Sequence, residues 1–174
     1  SNYNNFHIDE HNIRNSITGM HHGENPINQN TNTPTPQDQV TEEVRKAIEH
    51  RATWMYYLLQ EAKKDGLDWD DFARRAIART GALHGGAKRE KLQDPDDLVE
   101  FSENFAGETS RKVFEMEVAA QDAERYHLDF HYCPLVAAWQ KLGASQEEIE
   151  HLCDIAMDGD RGIADQFPAF EFSL

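Results

Sequence analysis

The sequence predicts an α+β fold: a helical N-terminal half packed on a small antiparallel sheet, a hairpin at about residues 112–133, and two C-terminal helices. Three observations predict it. Apolar residues recur at helical spacing from Val40 to Ala62, and the period drops to two between Val113 and Cys133. Two cap-marked helical patterns then open at Pro134 and Ser145. The 174 residues suit one domain plus an appendage, long enough to bury a core without disulfides.

From Ser1 to Gln37 the chain is rich in Asn, carries Pro26, Pro34 and Pro36, and has few apolar residues. Such a segment cannot bury enough surface to fold alone, so 1–37 reads as an arm, flexible or docked on a partner. Ile13, Ile17 and Met20 have the spacing of a short amphipathic turn that would dock it on the core or on a neighbouring subunit of a homo-oligomer. The domain is expected over 38–174. Its first helix opens at Asp38 and carries Val44, Ile48, Met55, Leu58, Leu59 and Ala62 until Gly66 stops the pattern. A second, capped by Asp68, runs through Trp69, Phe72, Ala73, Ala76 and Ile77 toward Gly81, with Gly85-Gly86 marking a loop. Asp94-Pro95 is a cap-plus-proline signal for a third helix with Leu98, Phe101 and Phe105.

After Gly107, Phe114, Met116 and Val118 alternate with Val113, Glu115 and Glu117, which is a strand pattern. Beyond a polar break at 121–125, Tyr126, Leu128, Phe130 and Tyr132 alternate with His127, Asp129, His131 and Cys133. With Val118 opposite Leu128, Met116 meets Phe130 and Phe114 meets Tyr132, covering one face with apolar side chains. The other face then carries Glu115, Glu117, His127, Asp129, His131 and Cys133, with Glu115 across from His131. Pro134 opens a helix through Val136, Ala137, Trp139 and Leu142 to Gly143, which makes Cys133 its N-cap. Ser145 with Glu148 forms a capping box for a helix through Ile149, Leu152, Cys153, Ala156 and Met157 that closes at Gly159. Phe170 to Leu174 alternates like the start of a strand.

Composition narrows the function classes. With 17 basic and 32 acidic residues the net charge is -15, which repels nucleic-acid phosphates. Mean hydropathy is -0.78, and no apolar run approaches bilayer length. Two cysteines and no signal core make a reducing cytoplasm the default compartment. No glycine-rich phosphate loop, Gly-x-Ser-x-Gly or Cys-x-x-Cys occurs, so no common cofactor is implied. His7-Ile8-Asp9-Glu10-His11 matches a zinc-protease pattern in letters only, because it lies in the arm rather than on a buried helix. His21-His22 reads as exposed loop.

Cys133 is the sharpest chemical candidate. Free N–H groups at a helix start stabilise a thiolate, and His131 lies two residues back to trade a proton with it. The bland reading makes Cys133 a small buried hydrophobe and His131 a hydrogen-bonded wall residue. The strand face also offers metal-ligand types, so a divalent metal stays open, although closing a site needs a group from elsewhere. Asp154 and Asp158 share a helix face near Asp160 and Arg161, which reads either as a solvated ion-pair cluster or as a substrate grip. In the second case Arg161 holds a carboxylate and an Asp binds an amidinium-like group. Cys153, mid-helix among apolar neighbours, reads as core.

The stretch His131 to Ala164, HYCPLVAAWQKLGASQEEIEHLCDIAMDGDRGIA, resembles the L-2-amino-thiazoline-4-carboxylic acid hydrolase family. The resemblance rests on His131-x-Cys133-Pro134, Trp139 followed by Leu142-Gly143, Cys153-Asp154-x-Ala156 and Gly159-Asp160. It implies hydrolytic opening of a ring carbon–nitrogen bond at an amidine-like carbon of a small cyclic substrate. It also implies a further strand, often with another cysteine, beyond Phe170-Glu171-Phe172, whereas this sequence stops at Leu174. The expected mechanism uses Cys133 as nucleophile and His131 as acid and base. Asp154 and Asp160 orient the amidine, with Arg161, Glu115, Asp158 and Trp139 as substrate contacts. Metal-assisted hydrolysis on the strand face and noncatalytic binding of a small ligand are the alternatives.

Overall fold

The computed structural model of the chain describes residues 4–6, 15–18 and 32–174. Helix α1, Gln39–Lys64, starts where Asp38 accepts hydrogen bonds from the Thr41 N–H and hydroxyl at 3.0 and 2.9 Å. Those bonds pull the Asp38 carboxyl down to about 2. The helix buries Ala52, Tyr56 and Leu59 and turns Val40, Trp54 and Leu58 to solvent.

Helix α2, Trp69–Lys91, runs straight through Gly81, Gly85 and Gly86, where the sequence predicted a stop and a loop. The reason lies across the interface, in helix α6, Gln146–Ala164. A Cβ added to Gly81 would sit 1.9 Å from the Gly159 carbonyl oxygen, and one added to Gly162 would sit 2.3 Å from the Ala78 carbonyl oxygen. The glycines permit backbone-to-backbone contact between α2 and α6, so here they build a helix seam. For the same reason α6 continues past Gly159, its expected end, to Ala164. Its capping box forms as expected, Ser145 and Glu148 bonding each other's backbone N–H at 3.1 and 3.0 Å.

Helix α3, Leu98–Phe105, is capped by Asp97, whose carboxylate takes the N–H groups of Val99 and Glu100. Asp94, the expected cap, closes the turn before it by accepting from Asp96 and Asp97. Next comes α4, Glu108–Val113, a helix that takes in residues 112 and 113, where the sequence predicted the hairpin to begin. Phe114 ends α4, and Glu115 takes a positive φ of 48° that redirects the chain into β3, Met116–Gln121.

Strand β3 pairs antiparallel with β4, Tyr126–Phe130, in the predicted register: Met116 faces Phe130 and Val118 faces Leu128. Phe114 still meets Tyr132 through a backbone hydrogen bond of 3.1 Å, although neither lies in a strand. Two segments of the Asn-rich stretch add strands. β1, Asn4–Phe6, pairs antiparallel with β4, and β2, Asn15–Thr18, pairs parallel with β5, Phe170–Ser173. Ile17 therefore lies in extended chain and not in an amphipathic turn; Ile13, Met20, His7–His11 and His21-His22 fall outside the described residues. Helix α5, Pro134–Lys141, follows β4 with Cys133 as N-cap and ends before Gly143, whose φ is +79°.

Two apolar clusters result. One joins α1, α5 and α6 through Ala52, Tyr56, Val136, Trp139, Ile149 and Ile155. The other joins α3 to the strands through Leu98, Phe101, Tyr126, Leu128, Phe167 and Phe170. Cys133 sits in the first cluster, at the point where β4 hands over to α5.

Candidate active site

Regular strand geometry stops at Phe130, and the alternation that placed Cys133 beside His131 stops with it. Tyr132 and Cys133 are both buried, Cys133 at 4% exposure. His131 stays on the outer side, its Nε2 2.8 Å from Glu117 Oε2. The thiol and the imidazole therefore have different surroundings. Burial pushes the Cys133 thiol up to about 11, opposed by the backbone N–H groups of Val136 and Leu135 at the start of α5. Among charged groups, Arg51 pulls it down and Asp160 pushes it up.

Asp160 reaches this region from α6. It lies seven residues after Cys153, two helical turns on, and so shares its face. Cys153 is 2% exposed in the same cluster as Cys133, and burial raises its thiol well above the ordinary range, with Cys133 adding to the effect. Asp160 remains partly open to solvent, yet the surrounding protein strips enough water from it to push its carboxyl up to about 7, against the pull of Arg161. Among the described residues it accepts no hydrogen bond. A carboxyl enclosed by protein yet reached by solvent, with its pKa raised to about 7, can exchange protons near neutral pH.

The other sequence-predicted residues are engaged elsewhere. Arg161 donates to Asp158 Oδ1 at 2.6 Å and to Asp154 Oδ1 at 3.1 Å. Arg74 of α2 reaches Asp70, Asp154 and Asp158 at 2.9, 2.7 and 3.3 Å. Burial opposes ionisation of Asp154, but the two guanidinium groups outweigh it and hold its carboxyl below the usual range. This network ties α2 to α6 and occupies the donors that Arg161 was expected to offer a substrate. Trp139 is fully buried, and its indole N–H donates to the Ala52 carbonyl at 3.1 Å.

Glu115 accepts the His131 N–H at its backbone oxygen, as the register predicted, but its carboxylate points to Arg45 and to the Thr35 N–H. On the strand face His127 pairs with Asp129 at 3.0 Å. Among the described residues no three His, Cys, Asp or Glu side chains are grouped to hold a metal ion, and no helix is long and apolar enough to cross a membrane.

A family model for L-2-amino-thiazoline-4-carboxylic acid hydrolase matches residues 45–174. The chain belongs to this family. Its name makes hydrolysis the class of activity, and the match takes in Cys133, Cys153 and Asp160. No significant match is found among curated proteins or among solved structures.

Three features escaped sequence reasoning. Asn32, buried at 7% exposure, meets the backbone of Cys133 from 101 residues away. His151 bonds Asp70 at 2.5 Å with its ring 4.9 Å from Trp69. His151 and Trp69 line an open cleft of about 810 Å³ with Tyr56, Lys63 and Glu148, and neither Cys133 nor Asp160 lines it. The Asn32 and His151 contacts join segments far apart in sequence and carry no local signal.

Proposed function

We propose that this member of the family opens the ring of a small cyclic amidine-like carboxylate at a carbon–nitrogen bond, with Cys133 as nucleophile and Asp160 as proton carrier. The observation that carries the reading is Cys133 at the N-cap of α5, within the residues that match the family; Asp160 is the acidic group whose charge bears on that thiol, and burial raises its own carboxyl to about 7. A thiol near 11 is protonated at neutral pH and needs a base as it attacks. Asp160 accepts the thiol proton while sulfur bonds to the amidine carbon. It then returns the proton to the ring nitrogen as the carbon–nitrogen bond breaks. Water attacks the carbon held on sulfur, Asp160 takes its proton, and the thiol is released with that proton restored.

The α5 N-terminus supplies backbone N–H groups to the thiol while it is anionic. His131, paired with Glu117, takes no part in proton transfer in this scheme. The scheme uses substrate and water and no cofactor.

Conversion of L-2-amino-thiazoline-4-carboxylate and related cyclic amidines, followed by mass, tests the reading. Cys133→Ser is expected to lower turnover at least roughly a thousandfold, and wild-type turnover in that variant would remove the nucleophile. The open cleft beside Trp69 and His151 favours a second reading, in which a small ligand binds there unchanged. Its signature is saturable binding, abolished in Trp69→Ala, with the ligand recovered intact by mass.

A further inference from the structure

In a capping box the N-cap N–H is satisfied by a Glu or Gln three residues on. In α5 that position is Val136, which offers no acceptor. The Cys133 N–H instead donates to Asn32 Oδ1 at 3.0 Å, and Asn32 Nδ2 donates to the Cys133 carbonyl at 3.0 Å. One side-chain amide thus clamps both polar groups of the cysteine backbone, in a buried setting where water does not compete.

The clamp is itself held. Arg45, 3% exposed, donates to the Thr35 carbonyl at 2.9 Å and to the Val113 and Lys112 carbonyls at 3.1 and 3.0 Å. Its guanidinium stacks 4.6 Å from the centre of the Tyr132 ring, beside Cys133. The Thr35 N–H reaches the Glu115 carboxylate at 3.1 Å, and Asp38 caps α1. Residues 32–38 are therefore a strap fastened at Asn32, Thr35 and Asp38. Asn32 lies outside residues 45–174, the part that matches the family.

We infer that Asn32 is a positioning residue for Cys133: its amide fixes the backbone under the thiol, and so the thiol's approach to its target, from a segment that the family match does not cover. The inference rests on the reading of Cys133 as nucleophile. An Asn32→Ala change removes both bonds and frees the start of α5, which should lower kcat by roughly 10- to 100-fold with KM within about twofold, the mark of lost alignment. Asn32→Asp keeps the shape and the acceptor but places a carboxylate against the Cys133 backbone, which should raise the thiol's titration midpoint by about one pH unit.

The test uses the full chain and its Asn32→Ala, Asn32→Asp and Cys133→Ser variants. Cys133 alkylation by iodoacetamide is followed against pH by peptide mass, which separates Cys133 from Cys153, and turnover and thermal midpoint are measured alongside. A raised alkylation midpoint in Asn32→Asp and a kcat-only loss in Asn32→Ala support the inference. An unmoved midpoint, or wild-type kcat in a folded Asn32→Ala, overturns it. Wild-type turnover in Cys133→Ser with the midpoint still raised refutes the thiol chemistry while supporting the hold of Asn32 on Cys133.

Discussion

Replacing Asp160 by Asn is expected to make the protein more stable at pH 8 and to leave its stability nearly unchanged at pH 4. In the folded chain the carboxyl titrates at about 7, against 3.8 for an ordinary aspartate, chiefly because burial penalises the charge. Between those values the native state keeps a proton that the unfolded chain has released. Stability therefore falls as pH rises from about 4 to about 7, and levels off above. A difference of about three pH units corresponds to an upper figure of about 4 kcal/mol, and solvent access to the group reduces this to roughly 2–4 kcal/mol. Asn cannot ionise and escapes the penalty. Urea denaturation of both proteins from pH 4 to pH 8 measures the difference, in which the titration of all other carboxylates cancels. A stability difference that stays constant over this range, or a variant less stable than wild type at pH 8, would refute the account of Asp160. The same variant should lose turnover, so the carboxyl would be a group kept at a cost in stability.

The helix seam gives a paired prediction. Gly81→Ala should destabilise by about 3 kcal/mol or more, because the new methyl meets the Gly159 carbonyl oxygen at 1.9 Å, whereas Gly86→Ala in the same helix meets nothing within 4 Å and should stabilise by about 0.5–1 kcal/mol. Thermal midpoints moving in the same direction would contradict the seam. Tyr126 is fully buried with a hydroxyl that has no partner among the described residues, and burial pushes that hydroxyl up to about 12. Tyr126→Phe is therefore expected to be neutral or to stabilise by on the order of 1 kcal/mol in urea, and a clear loss would reveal a hydrogen bond.

Local patterns were legible where local physics decides. Asp38 and Ser145 cap their helices as read, and Met116 and Val118 face Phe130 and Leu128, because caps and alternation act within a few residues. Gly81, Gly85 and Gly159 were misread as stops, since a glycine serving close packing looks in sequence like one serving a turn. Extending the period of two from Phe130 to Cys133 placed the thiol beside His131, but the chain leaves strand geometry there to begin α5. The candidate site was half legible: Cys133 and Asp160 were named, but the environment that raises Asp160 and the clamp by Asn32 arise from parts of the chain far apart in sequence.

The parallel pairing of Asn15–Thr18 with Phe170–Ser173 joins segments about 155 positions apart. During synthesis Asn15–Thr18 emerges first and cannot form this pairing until Phe170–Ser173 has been made. Closing so long a loop brings no reward until its last contacts form. This ribbon is therefore expected to lock after α2 and α6 have met, and to open before they part when denaturant is added.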